Sequence, residues 1–393
     1  MKVLLLFLAV ILVLVVAKVI WVSIATRHNG DFESEKKDLL SRRDFLLKKV
    51  ITSPHKLIEE MPRMVGPQFQ GEWALYSCSM LSAALVNTTL IYGEEKDENI
   101  ARIDSLIQIV MSPELRAYDR ERWGEDPLES LAGHNSHVSY LSHLAWMIAG
   151  YKQIGGDDKY DELYHELCKT MNRRILESPN MNLPTYPGEC VYVPDMLVAI
   201  VALTLYSQQN NGEYHTTTCN WLQRAQHEWL DPATQLISSY LPDDRSGVYE
   251  GASIKGSYTA LSCYYLTFIG KMFARDQYEK LKAHFLQKKP MTGFKEYHDR
   301  RCWLGRDIDA GPIVFNLSPT GTAFGIGSVT YYEDWKLRRK LLRTGEIAGT
   351  TWHAKGKSHY LLADVALVGE AIMLAMRTAV EWDSKRKTLA TCC

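Results

Sequence analysis

Strongly apolar segments and more polar, amphipathic segments alternate along most of the chain, and short polar turns separate them. Several of these turns end in an aromatic residue, and the series Tyr160, Tyr214, Tyr278 and Trp335 advances in steps of roughly 54 to 64 residues (160 to 214 and 214 to 278 are the extremes). A repeat of this length accommodates a helical hairpin and a loop. The pattern therefore predicts a ring of paired helices.

Six helices of each kind follow from the pattern. The apolar helices are expected at residues 71–92, 255–268, 310–329 and 358–382, and two more are expected to begin near residues 134 and 193. The amphipathic helices are expected near residues 35–50, 97–111, 160–176, 213–229, 276–288 and 334–344. Helices that are apolar all round are buried, whereas amphipathic helices face solvent on one side. We therefore predict an all-α ring with six inner and six outer helices.

The N-terminus carries an almost unbroken apolar run from Val3 to Ala25, interrupted only by Lys18. About 23 residues of helix can cross a hydrocarbon layer of ~30 Å, so we predict an uncleaved, single-pass transmembrane anchor. A cleaved signal peptide is the alternative, because the segment from Val15 to Ala17 offers a weak cleavage site. We expect the body to lie on the extracytoplasmic side, although the basic residues after the run favour the cytoplasm.

These patterns divide the chain into an anchor at 1–26, a linker with the first outer helix at 27–67, the ring at 68–385 and a tail at 386–393. With 46% hydrophobic residues, the body can bury a large core. A net charge of −1 argues against a nucleic-acid partner, because phosphate binding depends on concentrated Lys and Arg. The cysteines show no CxxC or Cys/His metal spacing. We predict neither a cofactor nor a metal.

Two segments have the character of inner-helix starts in a known class of fold. They are the run from Asp309 to Ile313 (Asp-Ala-Gly-Pro-Ile) and the run from Ser318 to Gly325 (Ser-Pro-Thr-Gly-Thr-Ala-Phe-Gly). Over roughly residues 68 to 385 the chain resembles the (α/α)6 toroid superfamily, which includes glycoside hydrolases, polysaccharide lyases, sugar epimerases and the linalool dehydratase-isomerase family. The resemblance implies an active site in the funnel at one end of the ring, lined by the loops that enter the inner helices. A shared fold does not define the reaction.

Carboxylates at these openings are candidates for glycosidic chemistry, which needs one acid and a second carboxylate as base or nucleophile. Glu189 and Glu250 precede adjacent inner helices and form the preferred pair, while Asp195 and Asp309 are further candidates. The alternative for the two aspartates is helix capping, because an anion is stabilised in the first turn of a helix.

Histidines offer a second chemistry. His134 and His137 are three residues apart, on one face if helical, and neutral imidazole can act as a general base. They could also be structural histidines, and the same two interpretations apply to His359. A metal would need a third ligand, which is not obvious nearby.

A weaker resemblance to the linalool dehydratase-isomerase family implies a different reaction. That family is thought to use Tyr and Asp from the first inner helix, His from the second and two cysteines from the third. Tyr76 could take the place of the tyrosine and Glu72 that of the acid, with His134 or His137 as the histidine. Only Cys190 is present at the third opening. The loss of one thiol argues against the terpenoid reaction but leaves acid/base dehydration open.

Aromatic residues near the openings could stack on sugar faces, although buried cores also use aromatic residues. They are Trp73, Trp123, Tyr192 and Trp303. We therefore predict a membrane-anchored enzyme that acts on a glycan or sugar-like substrate by acid/base chemistry, as a hydrolase or lyase, with Glu189 central. The alternatives are a dehydratase-isomerase-like enzyme for a small hydroxylated molecule and a non-catalytic glycan-binding or scaffold toroid.

Overall fold

The computed structural model describes residues 2–26, 31–63, 66–242 and 254–382. Six helices in these ranges form an inner ring: Pro67–Tyr92 (α4), Val138–Gln153 (α7), Val193–Gln209 (α9), Gly256–Ile269 (α11), Pro319–Tyr331 (α13) and Leu367–Arg377 (α15). Each packs against the next in this order, and α15 packs against α4, so the ring is closed. The prediction of a six-hairpin all-α toroid is confirmed.

Six outer helices pack against the inner ring. They are Phe32–Val50 (α2), Lys96–Val110 (α5), Asp161–Glu177 (α8), His215–Glu228 (α10), Lys271–Phe285 (α12) and Trp335–Gly349 (α14). In α14 the apolar Leu337 and Leu341 are buried while Lys336 and Arg339 are exposed, as expected for a helix with one face in the core. In contrast, most residues of α9 are buried on all sides.

The remaining elements of the described ranges are short, apart from the N-terminal helix. They are the helices Lys2–Ala25 (α1), Pro54–Glu59 (α3) and Pro113–Trp123 (α6), and a 3-10 helix at Leu361–Asp364. Four antiparallel hairpins or bridges pair Val191–Tyr192 (β1) with Tyr240–Leu241 (β2), Leu286–Gln287 (β3) with Gly293–Phe294 (β4), Leu304–Asp307 (β5) with Gly311–Val314 (β6), and Thr351–Ala354 (β7) with Lys357–Tyr360 (β8).

The chain alternates between inner and outer helices, so the inner helices all run in one direction and the outer helices in the other. We call the end at which the inner helices begin the mouth. Aromatic side chains fill the barrel towards the opposite end: the ring of Trp146 lies 5.9 Å from that of Trp382 and 6.2 Å from that of Phe268. The ligand site is therefore expected at the mouth.

The last two inner helices begin later than the sequence predicted. Helix α13 begins at Pro319 rather than near 310, and α15 begins at Leu367 rather than near 358. The residues that precede them form the hairpins β5–β6 and β7–β8 instead. Each hairpin turns at a glycine with a positive φ, +75° at Gly311 and +76° at Gly356, which interrupts a helix. Periodicity alone did not detect these turns.

The predicted anchor forms helix α1, whose C-terminal part lies against α14. The ammonium group of Lys18 bonds to the hydroxyl of Thr350, and Arg343 donates to the hydroxyl of Ser23 at 3.3 Å. Among the side chains that the structure describes, the helix long and apolar enough to cross a membrane is α4, which is mostly buried in the ring. The corresponding apolar stretch of α1 is the shorter Leu12–Ala25.

Candidate active site

Three carboxyl groups from distant segments meet at the mouth. Glu72 lies in the second turn of α4, Asp195 in the first turn of α9, and Asp309 in the turn between β5 and β6. The charges of Asp195 and Asp309 both raise the pKa of Glu72, so the three carboxyl groups share one electrostatic environment. We call them the carboxylate cluster. The closed ring brings them together, as the sequence predicted for residues at helix openings.

Asp195 is 6% exposed, and hydroxyl groups satisfy both of its oxygens. Tyr76 donates to Oδ1 at 3.0 Å, and Thr185 donates to Oδ2 at 2.7 Å. Burial raises the pKa of Asp195 to about 6, although these two hydrogen bonds lower it. The negative charges of Asp309 and Glu189 contribute to this rise. Asp195 is therefore mostly ionised at neutral pH but can still accept a proton.

The pKa of Glu72 is higher than that of Asp195. Burial is the largest cause that raises its pKa to about 8, followed by the charges of Asp195 and Asp309. The hydroxyl of Tyr186 and the guanidinium of Arg122 lower it, but they do not offset burial. Glu72 therefore carries its proton at neutral pH.

The raised pKa of Glu72 should reduce the stability of the protein at high pH. Its folded pKa is raised above the ordinary value of 4.5, so folding is penalised increasingly as the pH rises from about 4.5 to about 8. We expect Glu72→Gln to have the melting temperature of the parent near pH 4.5 and to exceed it by on the order of a few °C at pH 8.5. Thermal unfolding at both pH values measures this. Glu129→Gln, at a side chain that is 78% exposed, is the control, and an equal gain there would contradict the argument.

Tyrosine rings border the cluster on one side. The short β1–β2 pairing sets Tyr192 opposite Tyr240. The ring centroids of Tyr192, Tyr240 and Tyr258 lie 5.2 to 5.9 Å from one another. Aromatic surfaces of this kind suit the C–H faces of a sugar. Tyr192 therefore lies beside the cluster, and its role in binding stays a prediction.

Lys255 neutralises the outer part of the cluster. Its ammonium group lies 2.8 Å from the carboxylate of Asp307 and 3.2 Å from that of Asp309. It also lies 5.4 Å from the centre of the Tyr258 ring. Asp309 is thus already paired with a cation, which leaves Glu72 and Asp195 as the carboxyl groups without a basic partner in direct contact among the described residues.

The structure places Glu189 at the edge of the cluster rather than inside it. Its side chain is 36% exposed and lies 2.8 Å from Nη1 of Arg122, whose guanidinium stacks on Tyr186 at 4.0 Å. The neighbouring Cys190 is half-buried, and burial raises the pKa of its thiol. Glu250 lies outside the described residues.

The three predicted histidines do not contact the carboxylate cluster within the described ranges. His134 is exposed and lies 3.3 Å from Glu177, at a cavity of about 320 Å³ lined by the C-terminal end of α8 and the loop that follows it. His359 stacks on Phe45 of α2 at 4.0 Å, because it belongs to strand β8 rather than to an inner helix. Helix α7 begins after His134, so the expected placement of His134 inside that opening is corrected.

His137 is fully buried, and two carboxylates contact its ring nitrogens. Its Nδ1 lies 2.5 Å from Asp119 of α6, and its Nε2 lies 3.3 Å from Glu125. Trp123, a predicted sugar-binding residue, lies with its ring 5.3 Å from that of His137. Because Asp119 and Glu125 contact both ring nitrogens, His137 connects α6 and the residues after it to the start of α7. These contacts favour a structural role for His137 over a catalytic one.

The other predicted aromatic residues separate into two groups. Trp73 is half-buried and packs against the core. Trp303 is 54% exposed and lies beside Phe315 at the base of the β5–β6 hairpin, with ring centroids 5.6 Å apart. Neither ring is among those that border the cluster.

Sequence analysis missed a buried histidine under the cluster. His143 of α7 is fully buried, with its ring centroid 4.3 Å from that of Tyr76 and Nδ1 2.8 Å from the hydroxyl of Ser79. Burial lowers the pKa of His143 to about 3, so the imidazole is neutral. His143 lies in the middle of an apolar helix, where a sequence offers no signal that distinguishes a site residue from a core residue. Arg122, Thr185 and Tyr240 were missed as well.

Within the described residues, no group of three His, Cys, Asp or Glu side chains could hold a metal ion.

Comparisons with known proteins support the fold. No protein-family model matches the chain, and no curated protein sequence matches it. A solved structure, described as the crystal structure of an unsaturated glucuronyl hydrolase specific for heparin, aligns with a TM-score of 0.53 over 91% of this chain and 96% of that chain. The sequence identity is 10%, so the likeness is one of architecture. None of these comparisons supports the resemblance to the linalool dehydratase-isomerase family.

Proposed function

We propose that the protein is a glycan-processing enzyme in which Glu72 acts as the general acid and Asp195 as the general base. The observation that carries this proposal is the separation of the two pKa values, about 8 and about 6, in carboxyl groups of one cluster. Enzymes assign acid and base roles to two carboxyl groups by placing them in environments that give them different pKa values. The described glycan hydrolase with the same architecture supports the choice of substrate class.

The roles follow from the contacts. In hydrolysis, the proton of Glu72 would pass to the leaving oxygen as the glycosidic C–O bond breaks, while Asp195 would take a proton from the water whose oxygen bonds to the sugar carbon. Tyr76 and Thr185 hold both oxygens of Asp195 in place. The rings of Tyr192, Tyr240 and Tyr258 would stack on the sugar.

We further propose that α1 anchors the enzyme in a membrane. Its length of 24 residues and its apolar composition support this, as does the exposure of most of its described side chains. The fold provides little cover for the helix, because its C-terminal part is the part that packs on α14.

The pH dependence of turnover tests the proposed roles. The full chain in detergent is screened against neutral and uronate-containing oligosaccharides, and kcat/KM is measured for a substrate that is cleaved. We expect a bell-shaped profile: activity rises as Asp195 loses its proton near pH 6 and falls as Glu72 loses its proton near pH 8. Glu72→Gln should remove most of the activity. A profile without the alkaline limb, or failure to turn over any oligosaccharide of the panel, would overturn the proposal.

A further inference from the structure

Helix α1 leaves the body at the mouth. Lys18 meets Thr350, the residue that follows α14, whereas the later Ser23 meets the earlier Arg343. The two helices are therefore antiparallel, and α1 continues towards its N-terminus beyond the end of α14. The C-terminal ends of the outer helices lie at the mouth. At 1.5 Å per residue, the segment 2–17 extends roughly 24 Å past that end.

The described side chains of this protruding segment are apolar and exposed. The large ones along α1 are Leu6, Phe7, Val10, Leu12, Val13, Leu14, Val15, Val16, Val19, Ile20, Trp21 and Ile24. By contrast, Val22 is fully buried where α1 packs on the body. Contiguous apolar surface of this size on a helix indicates contact with lipid or with another protein.

Two hairpins present a second apolar surface at the same end. The hairpin β5–β6 precedes α13, and β7–β8 with its 3-10 helix precedes α15, so both lie at the mouth. Most of the exposed large apolar side chains outside α1 belong to these two segments: Trp303, Leu304, Ile308, Val314 and Phe315 in the first, and Trp352, Leu361, Leu362 and Val365 in the second. We call these two segments the hairpin rim.

The composition of the hairpin rim favours a bilayer over a protein partner. Trp303 and Trp352 provide the amphipathic rings that are enriched at membrane interfaces. Exposed cations accompany the apolar side chains, at Arg306 and Lys355 within the rim and at Arg300 and Arg301 just before it, and they outnumber the exposed acids Asp299 and Asp364. Cations next to an apolar surface complement the negative charge of anionic lipids. Helix α1, which we propose as the membrane anchor, emerges at the same end and so places lipid on this side.

We infer that the mouth of the toroid docks on a lipid bilayer through α1 and the hairpin rim, and that an amphipathic, lipid-linked glycan enters the site from the membrane. The second part rests on the proposed function. The evidence for a lipid-linked substrate is the β5–β6 turn, where the exposed Ile308 directly precedes Asp309 of the carboxylate cluster. A sugar head held at the cluster therefore lies one residue from the apolar surface, where a lipid tail can remain in the bilayer.

Photolabelling tests the docking without any assay of activity. The full chain is reconstituted in phosphatidylcholine vesicles that contain phosphatidylglycerol and a phospholipid with a photoreactive acyl chain, and the labelled peptides are mapped. We expect label in 303–315 and 352–365 as well as in α1. Label confined to α1, or label in the turns at the opposite end near 93–96 and 154–160, would overturn the docking.

Substitutions at two equally exposed apolar residues provide a test of the docking and its control. Leu304→Glu should reduce the labelling of 303–315 at least fivefold, because a carboxylate is excluded from the hydrocarbon. Met272→Glu should leave it unchanged, because Met272 is as exposed as Leu304 (79% and 80%) but begins an outer helix at the end opposite the mouth. An equal effect of the two substitutions would contradict the inference.

Kinetics with a lipid-linked and a lipid-free form of one glycan test the substrate class independently of the docking. We expect a glycan on a lipid in vesicles to be processed at least tenfold faster than the same glycan without the lipid, and Leu304→Glu to abolish that difference. Equal rates on both forms would overturn the lipid-linked substrate. Turnover of neither form would instead refute the proposed function, while the photolabelling result would still decide the docking.

Discussion

Asp195→Asn is expected to lower kcat/KM on a cleaved oligosaccharide by about 10²- to 10⁴-fold, the usual effect of removing a general base. The asparagine keeps the size of the side chain. Its amide oxygen can accept from one of the hydroxyls of Tyr76 and Thr185, which lie 3.0 and 2.7 Å from the carboxylate, and its amide nitrogen can donate to the other. It cannot take a proton from water. The loss should therefore appear in kcat, with an unchanged KM and a melting temperature no lower than that of the parent, because the raised pKa of Asp195 penalises folding at neutral pH.

Glu189→Gln is the matched comparison for this prediction. Glu189 is half-exposed and paired with Arg122, so we expect its substitution to change kcat/KM by less than tenfold. Both variants are measured in detergent, in the same preparation and at the pH optimum of the parent. A large loss of kcat/KM in Glu189→Gln with full activity in Asp195→Asn would identify Glu189 as the central catalytic residue, as sequence analysis predicted.

Arg42→Ala is expected to reduce the free energy of unfolding by about 3–5 kcal/mol, because it leaves a buried carboxylate without its cation. Arg42 of α2 is 3% exposed, and its Nη1 donates to Glu370 of α15 at 2.8 Å. Its guanidinium also stacks on Tyr360 at 4.2 Å. This contact attaches the outer helix nearest the N-terminus to the last inner helix, which closes the circle of hairpins. Unfolding by denaturant, followed by circular dichroism of the full chain in detergent, measures the loss.

Lys49→Ala provides the control on the same helix. The ion pair of Lys49 with Glu60 has a similar separation of 3.0 Å, but its side chains are 36% and 31% exposed. Solvent screens such a pair, so we expect a loss of less than about 1 kcal/mol. Equal losses in Arg42→Ala and Lys49→Ala would show that the buried pair does not hold the ring closed.

The sequence predicted the ring because burial imposes a periodic pattern on each helix. The outer helix α14 is expected near 334–344 and is found at Trp335–Gly349, and α9 begins at Val193 as expected. The entries to α13 and α15 were not predicted, because alternating residues in β5–β6 and β7–β8 also fit a short stretch of apolar helix. The turn glycines Gly311 and Gly356 are the local signal that distinguishes the two structures.

The sequence also predicted which polar residues lie at the mouth, but not which of them meet there. Glu72, Tyr76, Asp195 and Asp309 were all predicted at helix openings, and the structure places them together. Glu189 precedes Asp195 by six residues at the same opening, and neither sequence position reveals which carboxyl group is buried. His143 looked like a core residue because its neighbours in α7 are apolar.

By itself, then, the sequence determined that this protein is a closed ring of helical hairpins with an apolar N-terminal helix, since those properties depend on patterns within single segments. Only the tertiary structure decided which acid holds a proton and which face of the ring carries the apolar rim. The pKa values of Glu72 and Asp195 depend on burial and on charges contributed by α4, α9 and the β5–β6 turn. Those segments are distant in sequence, and their electrostatic interaction exists only after the ring has closed.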